Sequence, residues 1–185
     1  TVVRRADSSG TTFAFTNHLA AVSDAWREGP GVGKTVVWSD SDKIVAAPKN
    51  DGVTATILQT PGAIGYIEYG YARFAKVQVA VLENRAGVFV EAGLESGQAA
   101  LASAALPDDM RVWIPDPESA AAYPIVTYSW LLLKQRYADA GKREALKSLI
   151  RYCLTEGQQI ADALGYIPVP ASTAERALAL IGEIK

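Results

Sequence analysis

The chain has 185 residues, with 18 basic against 20 acidic side chains, a formal net charge of −2 and an apolar content of 49%. That length and apolar content build one ordinary domain or two small lobes around a real core. The charge balance offers no basic surface for nucleic acid and no polybasic block for a membrane, and the apolar runs, such as Ser129-Trp130-Leu131-Leu132-Leu133, fall far short of the ~20 residues that span a bilayer. A lone Cys153 excludes an internal disulfide, and a lone His18 excludes a multi-histidine metal site.

Residues 1–5, Thr-Val-Val-Arg-Arg, read as a short buried strand. A helix is expected over residues 11–27, with Phe15, Leu19, Val22 and Trp26 on one face and Gly29-Pro30-Gly31 as its stop. Residues 35–38, Thr-Val-Val-Trp, read as a strand, residues 39–51 as a polar loop, and residues 52–59 as a short helix closed by Thr60-Pro61-Gly62. The apolar run 63–67 reads as a strand and residues 69–74 as a short helix. Strands are expected over 77–82, 87–90, 110–114 and 123–133, and a helix over the alanine-rich residues 94–105. Two helices close the chain. The first carries Leu146, Leu149, Ile150 and Cys153 on one face, with Cys153 read as a small core residue. The second opens on Ser172-Thr173-Ala174-Glu175, which has the form of a capping box. Strands and helices alternate throughout, so the class is α/β.

The stretch Arg4-Arg5-Ala6-Asp7-Ser8-Ser9-Gly10-Thr11-Thr12 stands just before the first helix. A helix N-terminus has free amides and a partial positive charge, so an anion placed there gains several hydrogen bonds at once. Gly10 lets the backbone approach closely, neighbouring hydroxyls add donors, Arg5 supplies a two-pronged guanidinium, and Asp7 can lock that guanidinium in place. On spacing alone an ordinary N-cap accounts for the same residues. The stretch is neither a Walker A loop nor a nucleophile elbow. His18 lies about two turns along the helix, out of reach as a base for Ser9 or Thr11.

Several ordered segments then resemble one family. Val2-Val3-Arg4-Arg5-Ala6-Asp7-Ser8-Ser9-Gly10-Thr11-Thr12-Phe13 is similar to the phosphate-grip segment of the periplasmic phosphate-binding proteins of ABC transporters, the PstS type. Val37-Trp38, Lys49-Asn50-Asp51-Gly52-Val53, Thr60-Pro61-Gly62-Ala63-Ile64-Gly65-Tyr66-Ile67-Glu68-Tyr69 and Tyr123-Pro124-Ile125-Val126 continue the resemblance in order. Ser39 stands where the family usually has proline, and Ser8 where it frequently has glycine.

The resemblance implies a two-lobed periplasmic binding protein of the type II, Venus-flytrap kind, here lacking its N-terminal part. Residues 1–122 would form most of the second lobe, and residues 123–185 the crossover strand and the helices returning to the first. By position, Arg5, Ser9, Gly10 and Thr11 would bind inorganic phosphate, with Asp7 and Ser8 in support; Ser9, Gly10 and Thr11 would donate from amides and hydroxyls. The carboxylate by which the family accepts the phosphate proton, and so rejects sulfate, would lie in the absent part. The implied partners are an N-terminal complementing segment or chain and an ABC transporter permease, without cofactor, metal or nucleic acid. The implied location is periplasmic or extracytoplasmic, and any lipid anchor would belong to the absent N-terminus. The rival readings are a protein for another, sulfate-like oxyanion and a phosphate-ester hydrolase using Ser9. The hydrolase lacks a usable base, so the chain reads as a binding protein rather than an enzyme.

Overall fold

The structure, a computed structural model, describes residues 1–185. Its first unit is a three-stranded parallel sheet in which β1 (Val2–Arg5) lies between β2 (Ile44–Ala47) and β3 (Ile64–Gly65). Val2 to Arg5 pair in turn with Ile44 to Ala47, while Val2 and Val3 face Ile64 and Gly65 on the other side. Parallel neighbours need long return connections. Helices α1 (Gly10–Val22) and α2 (Asp24–Glu28) connect β1 to β2, and α3 (Lys49–Gln59) connects β2 to β3. Because β1 is central, the second connection passes over it. The carboxyl ends of the three strands therefore open at a topological switch point, where α/β sheets take their ligands.

Val3, Ala47 and Val53 form the core of this unit, with Ile57, Ala63 and Ile67 packed around them. Glycine is required at Gly65, where a Cβ would come within 2.7 Å of the Val3 carbonyl oxygen.

After α4 (Tyr69–Ala75), strands β4 (Leu82–Glu83) and β5 (Phe89–Val90) form an antiparallel hairpin. The Asn84 side chain ties its turn together, accepting from Ala86 and Val88 amides and donating to the Ala120 and Ala122 carbonyls. Helix α5 (Leu94–Ala102) follows, and then an antiparallel pair of β6 (Trp113–Pro115) with β7 (Ile125–Thr127). Leu101, Ile114 and Tyr128 form a second core with Trp130, Ile167 and Val169 around it. The back of α1 packs on β6 and β7, which joins the two cores. Helix α6 (Ala140–Leu154), α7 (Gln158–Ala161), a 3-10 turn (Asp162–Leu164) and α8 (Ala171–Gly182) complete the chain.

Several expectations change. The helix expected over 11–27 breaks at Ser23, whose extended backbone and side chain cap α2 by accepting from the Trp26 amide. The buried face of α1 carries Thr12, Thr16 and Ala20, whereas Val22 is exposed. Residues 35–38 form no strand, because no neighbour pairs with them. The polar loop expected over 39–51 instead holds β2 and the first turn of α3.

Strand over 77–82 shrinks to Leu82, that over 110–114 shifts to Trp113–Pro115, and that over 123–133 reduces to Ile125–Thr127. The capping box at Ser172 does not form. Helix α8 starts one residue earlier behind Pro170, without a side-chain cap, and Thr173 turns inward to Tyr128. Cys153 is exposed rather than core, and Ile150 alone of its face is buried. Apolar side chains are also left open to solvent at Ile64, Leu131 and Leu132, which are 68%, 72% and 89% exposed.

Candidate anion-binding site

The carboxyl ends of β1, β2 and β3 each contribute to one cluster. From β1, the Arg5 guanidinium reaches Asp7 by two parallel bonds, Nε to Oδ1 at 2.9 Å and Nη2 to Oδ2 at 2.6 Å. This bidentate fork fixes the plane of the guanidinium. Asp7 accepts a third bond, from the Lys49 amide at 2.8 Å. The Arg5 hydrogen bond, and then the Lys49 amide, hold the Asp7 carboxyl well below the usual carboxylate range. The Asp7 bond raises the Arg5 guanidinium in turn and keeps it charged.

Lys49, which begins α3 behind β2, takes a left-handed backbone at φ 55°. That conformation is costly for a side chain with a Cβ and recurs where a backbone amide must be aimed. Here the amide is aimed at Asp7. The adjacent Asn50 is buried and accepts from Arg5 Nη1 at 3.1 Å. Asp7, just past β1, and Asn50, in the first turn of α3, thus brace Arg5 together.

Behind β3 stands Tyr66, buried and flanked by Phe15 at 4.5 Å and Trp38 at 6.1 Å, both rings nearly parallel to its own. Its hydroxyl accepts from the Arg5 amide at 3.2 Å and shares a 2.9 Å bond with the Thr12 hydroxyl. Tyr66 therefore pins the end of β1 to the first turn of α1.

Ser9 is the N-cap of α1. Its Oγ accepts from the amides of Thr11 at 3.1 Å and Thr12 at 3.2 Å, and its own amide donates to Lys34. The amide of Gly10 is left uncapped. Gly10 is exposed, and a Cβ built on it would meet nothing within 4 Å, so the flank of the helix start is open there. Thr11 Oγ1 lies 3.4 Å from Arg5 Nη1 and 3.4 Å from Glu68 Oε1. Ser8 is exposed beside them.

Arg5, Asp7, Ser9, Gly10 and Thr11 thus come together as a charged, amide-lined wall. Such a wall offers an oxyanion a guanidinium, a helix N-terminus and hydroxyls at once. Lys49, Asn50, Tyr66 and Glu68 were not expected as members. All four lie in the motifs quoted above, directly after β2 or β3, and that position was the available signal. His18 is buried with its Nδ1 unpartnered; burial pushes its imidazole below the ordinary value, against the pull of Asp116. It takes no part in the cluster. The four tryptophans pack: Trp26 on Trp38, Trp38 on Tyr66, and Trp113 between Phe13 and Trp130.

A binding-protein fold is what the parallel sheet and this wall describe, and the comparisons agree. The family model for the PBP superfamily domain matches residues 1–156, so the chain belongs to the PBP superfamily. It is 34% identical over 171 residues to the phosphate-binding protein PstS of Xylella fastidiosa (strain Temecula1), covering 91% of this chain and 46% of that protein. It is 36% identical over 201 aligned positions to the phosphate-binding protein PstS of Methanocaldococcus jannaschii, covering 100% of this chain and 51% of that protein. The chain spans about half the length of the curated relatives it matches. Among solved structures it resembles the ancestral soluble variant of the human phosphate-binding protein, with a TM-score of 0.71 at 18% identity over 96% of this chain and 57% of the other. That likeness concerns the fold, which is α/β of the periplasmic-binding kind.

Proposed function

We propose that this chain supplies one wall of a phosphate site in a solute-binding protein that serves an ABC importer. The observation that carries the reading is the Arg5 guanidinium, fixed by Asp7 and Asn50 beside the uncapped amide of Gly10. A fixed cation and a helix N-terminus stabilise an oxyanion without reorganisation on binding. Arg5, Ser9, Gly10 and Thr11 hold the phosphate, and Asp7 and Ser8 support them. Relatives at 34% identity carry the name phosphate-binding protein.

On this reading residues 1–122 belong mainly to one lobe and residues 123–185 return to the other, with an N-terminal segment or chain completing both. The exposed Ile64 on the sheet edge and Leu131-Leu132 fit surfaces that such a segment covers. The site of action is extracytoplasmic, and the partner that receives the phosphate is the importer's permease. Ser9 is no nucleophile in this scheme: its Oγ accepts two amides, and His18 lies elsewhere.

Titration calorimetry of phosphate into the chain joined with its N-terminal part tests the proposal. One phosphate per molecule is expected, with Arg5→Ala weakening binding more than Thr12→Ala. Absence of binding by the complemented protein overturns it.

A further inference from the structure

Asn50 is only 7% exposed, yet half of its side-chain amide is unused. Its Oδ1 accepts from Arg5 Nη1 at 3.1 Å. A guanidinium can only donate, so the oxygen must be the atom that faces Arg5, and Nδ2 with its two N–H donors is the free arm. The other side-chain bond that reaches this residue, from the Thr54 hydroxyl, goes to its backbone carbonyl. Nor is Nδ2 sealed in the interior, where an unpaired amide is costly; the enclosed atoms without a partner are Arg4 Nε and His18 Nδ1. A side chain more than nine-tenths buried thus keeps an unpaired donor open to solvent next to the Arg5 guanidinium. Resting on the phosphate reading above, we infer that Asn50 is a further ligand of the bound phosphate, donating from Nδ2 alongside Arg5.

The chemistry of the residue suits this role. The Arg5 bond fixes the amide plane before a ligand arrives, so little is spent on ordering the donor. A guanidinium drawing on the amide oxygen also polarises the amide and strengthens its N–H groups as donors. Asp7 already balances the charge of Arg5. A second carboxylate at position 50 would brace Arg5 equally well, but it would set lone pairs and another negative charge against an anion. An amide braces without charge and has donors to spare. Helix α3 opens on Pro48 without a side-chain cap, so the partial positive charge of its first turn lies behind Asn50. The phosphate is then held from the starts of two helices, α1 through Gly10 and α3 through Asn50.

A crystal structure of the complemented protein with phosphate bound reads the contact directly. Asn50 Nδ2 is expected at ~2.7–3.2 Å from a phosphate oxygen, with Oδ1 still on Arg5. In titration calorimetry Asn50→Ala should weaken phosphate binding by about ten- to a hundredfold, the range of one hydrogen bond to a charged group. Asn50→Asp keeps the acceptor for Arg5 and loses the donor, and should weaken it further. A bound phosphate whose oxygens all lie beyond about 3.5 Å from Nδ2 overturns this inference while phosphate binding stands, and leaves Asn50 as a brace for Arg5 alone. Wild-type affinity in Asn50→Asp overturns it equally. A wild-type complemented protein that binds no phosphate overturns the phosphate reading and this inference with it.

Discussion

Arg5 and Asp7 share a two-bond fork, and the same carboxylate takes the Lys49 amide from the start of α3. One side chain thereby couples the ends of two neighbouring parallel strands. Asp7 is more than a partner for Arg5: it also holds α3 against the site, in a backbone conformation that Lys49 adopts at a cost.

The coupling sets a pH dependence. The folded Asp7 carboxyl lies below its unfolded value of about 3.9. A depressed carboxyl contributes stability that is fully present above the unfolded value and is lost as pH falls through the folded one. Wild-type melting temperature should therefore drop as pH is lowered below about 4. Asp7→Asn should start lower at neutral pH and show a shallower acid limb, so that the two curves converge. Thermal melts of both proteins from neutral to strongly acid pH check this. Curves that stay parallel across the acid range would show that the pair adds no pH-dependent stability.

Gly10 separates binding from folding. Its Cβ position is open, and its φ is not in the left-handed region, so alanine fits the folded chain without strain. Gly10→Ala should leave stability unchanged or raise it by up to ~1 kcal/mol through the unfolded state. The added methyl narrows the approach to the Gly10 amide. Losing a hydrogen bond to a charged ligand costs ~1.5–3 kcal/mol, so phosphate affinity should fall by about tenfold or more. A melting curve and a phosphate titration on the same variant decide the matter; a fall in both together would assign Gly10 to folding instead.

Arg5, Asp7 and the Ser9 cap were legible in the sequence because they are local: a guanidinium and a carboxylate two residues apart, then a hydroxyl before a helix. Asn50, Tyr66 and Glu68 were not. They join the cluster only because parallel strands deliver distant residues to one edge, and periodicity carries no record of that. The same physics hid β2. Ile44-Val45-Ala46-Ala47 lies between polar residues and reads as part of a loop, yet it pairs with β1 along its whole length. Thr35-Val36-Val37-Trp38 has better strand composition and no partner, so it forms none. Trp38 is used for its ring, against Tyr66. Ser23 and Ser172 show the complementary case. Ser23 lies inside the helix expected over 11–27 and caps α2 instead, whereas Ser172 heads the expected capping box and α8 starts without a side-chain cap.

Tyr66 is the clearest of the residues that the sequence left unassigned. Tyr66→Phe keeps the ring between Phe15 and Trp38 and removes the hydroxyl from the Arg5 amide and Thr12. Thr12 is buried, so its hydroxyl loses a partner that water does not readily replace. Destabilisation of ~1–3 kcal/mol is expected, with the denaturant slope unchanged. Chemical denaturation of the two proteins measures it. A shift below a few tenths of a kcal/mol would mean that the hydroxyl is not what ties β1 to α1.

Far from the anion wall, Gly165 tests how the terminal segment is seated on α4. Gly165 and Gly62 both have positive φ, at 80° and 75°. A Cβ on Gly62 meets nothing, whereas one on Gly165 would lie 2.7 Å from the Gly70 Cα, a backbone atom that cannot swing aside. The Arg73–Asp162 ion pair closes over the same contact. Gly62→Ala should cost only the left-handed backbone term, ~1–2 kcal/mol. Gly165→Ala carries that term plus an overpacking cost of ~1–3 kcal/mol, and should also loosen α7 from α4. Hydrogen exchange over residues 158–165 reads the loosening, and denaturant midpoints read the two energies. Equal destabilisation by the two alanines would show that the glycine-to-glycine contact contributes nothing beyond the backbone preference.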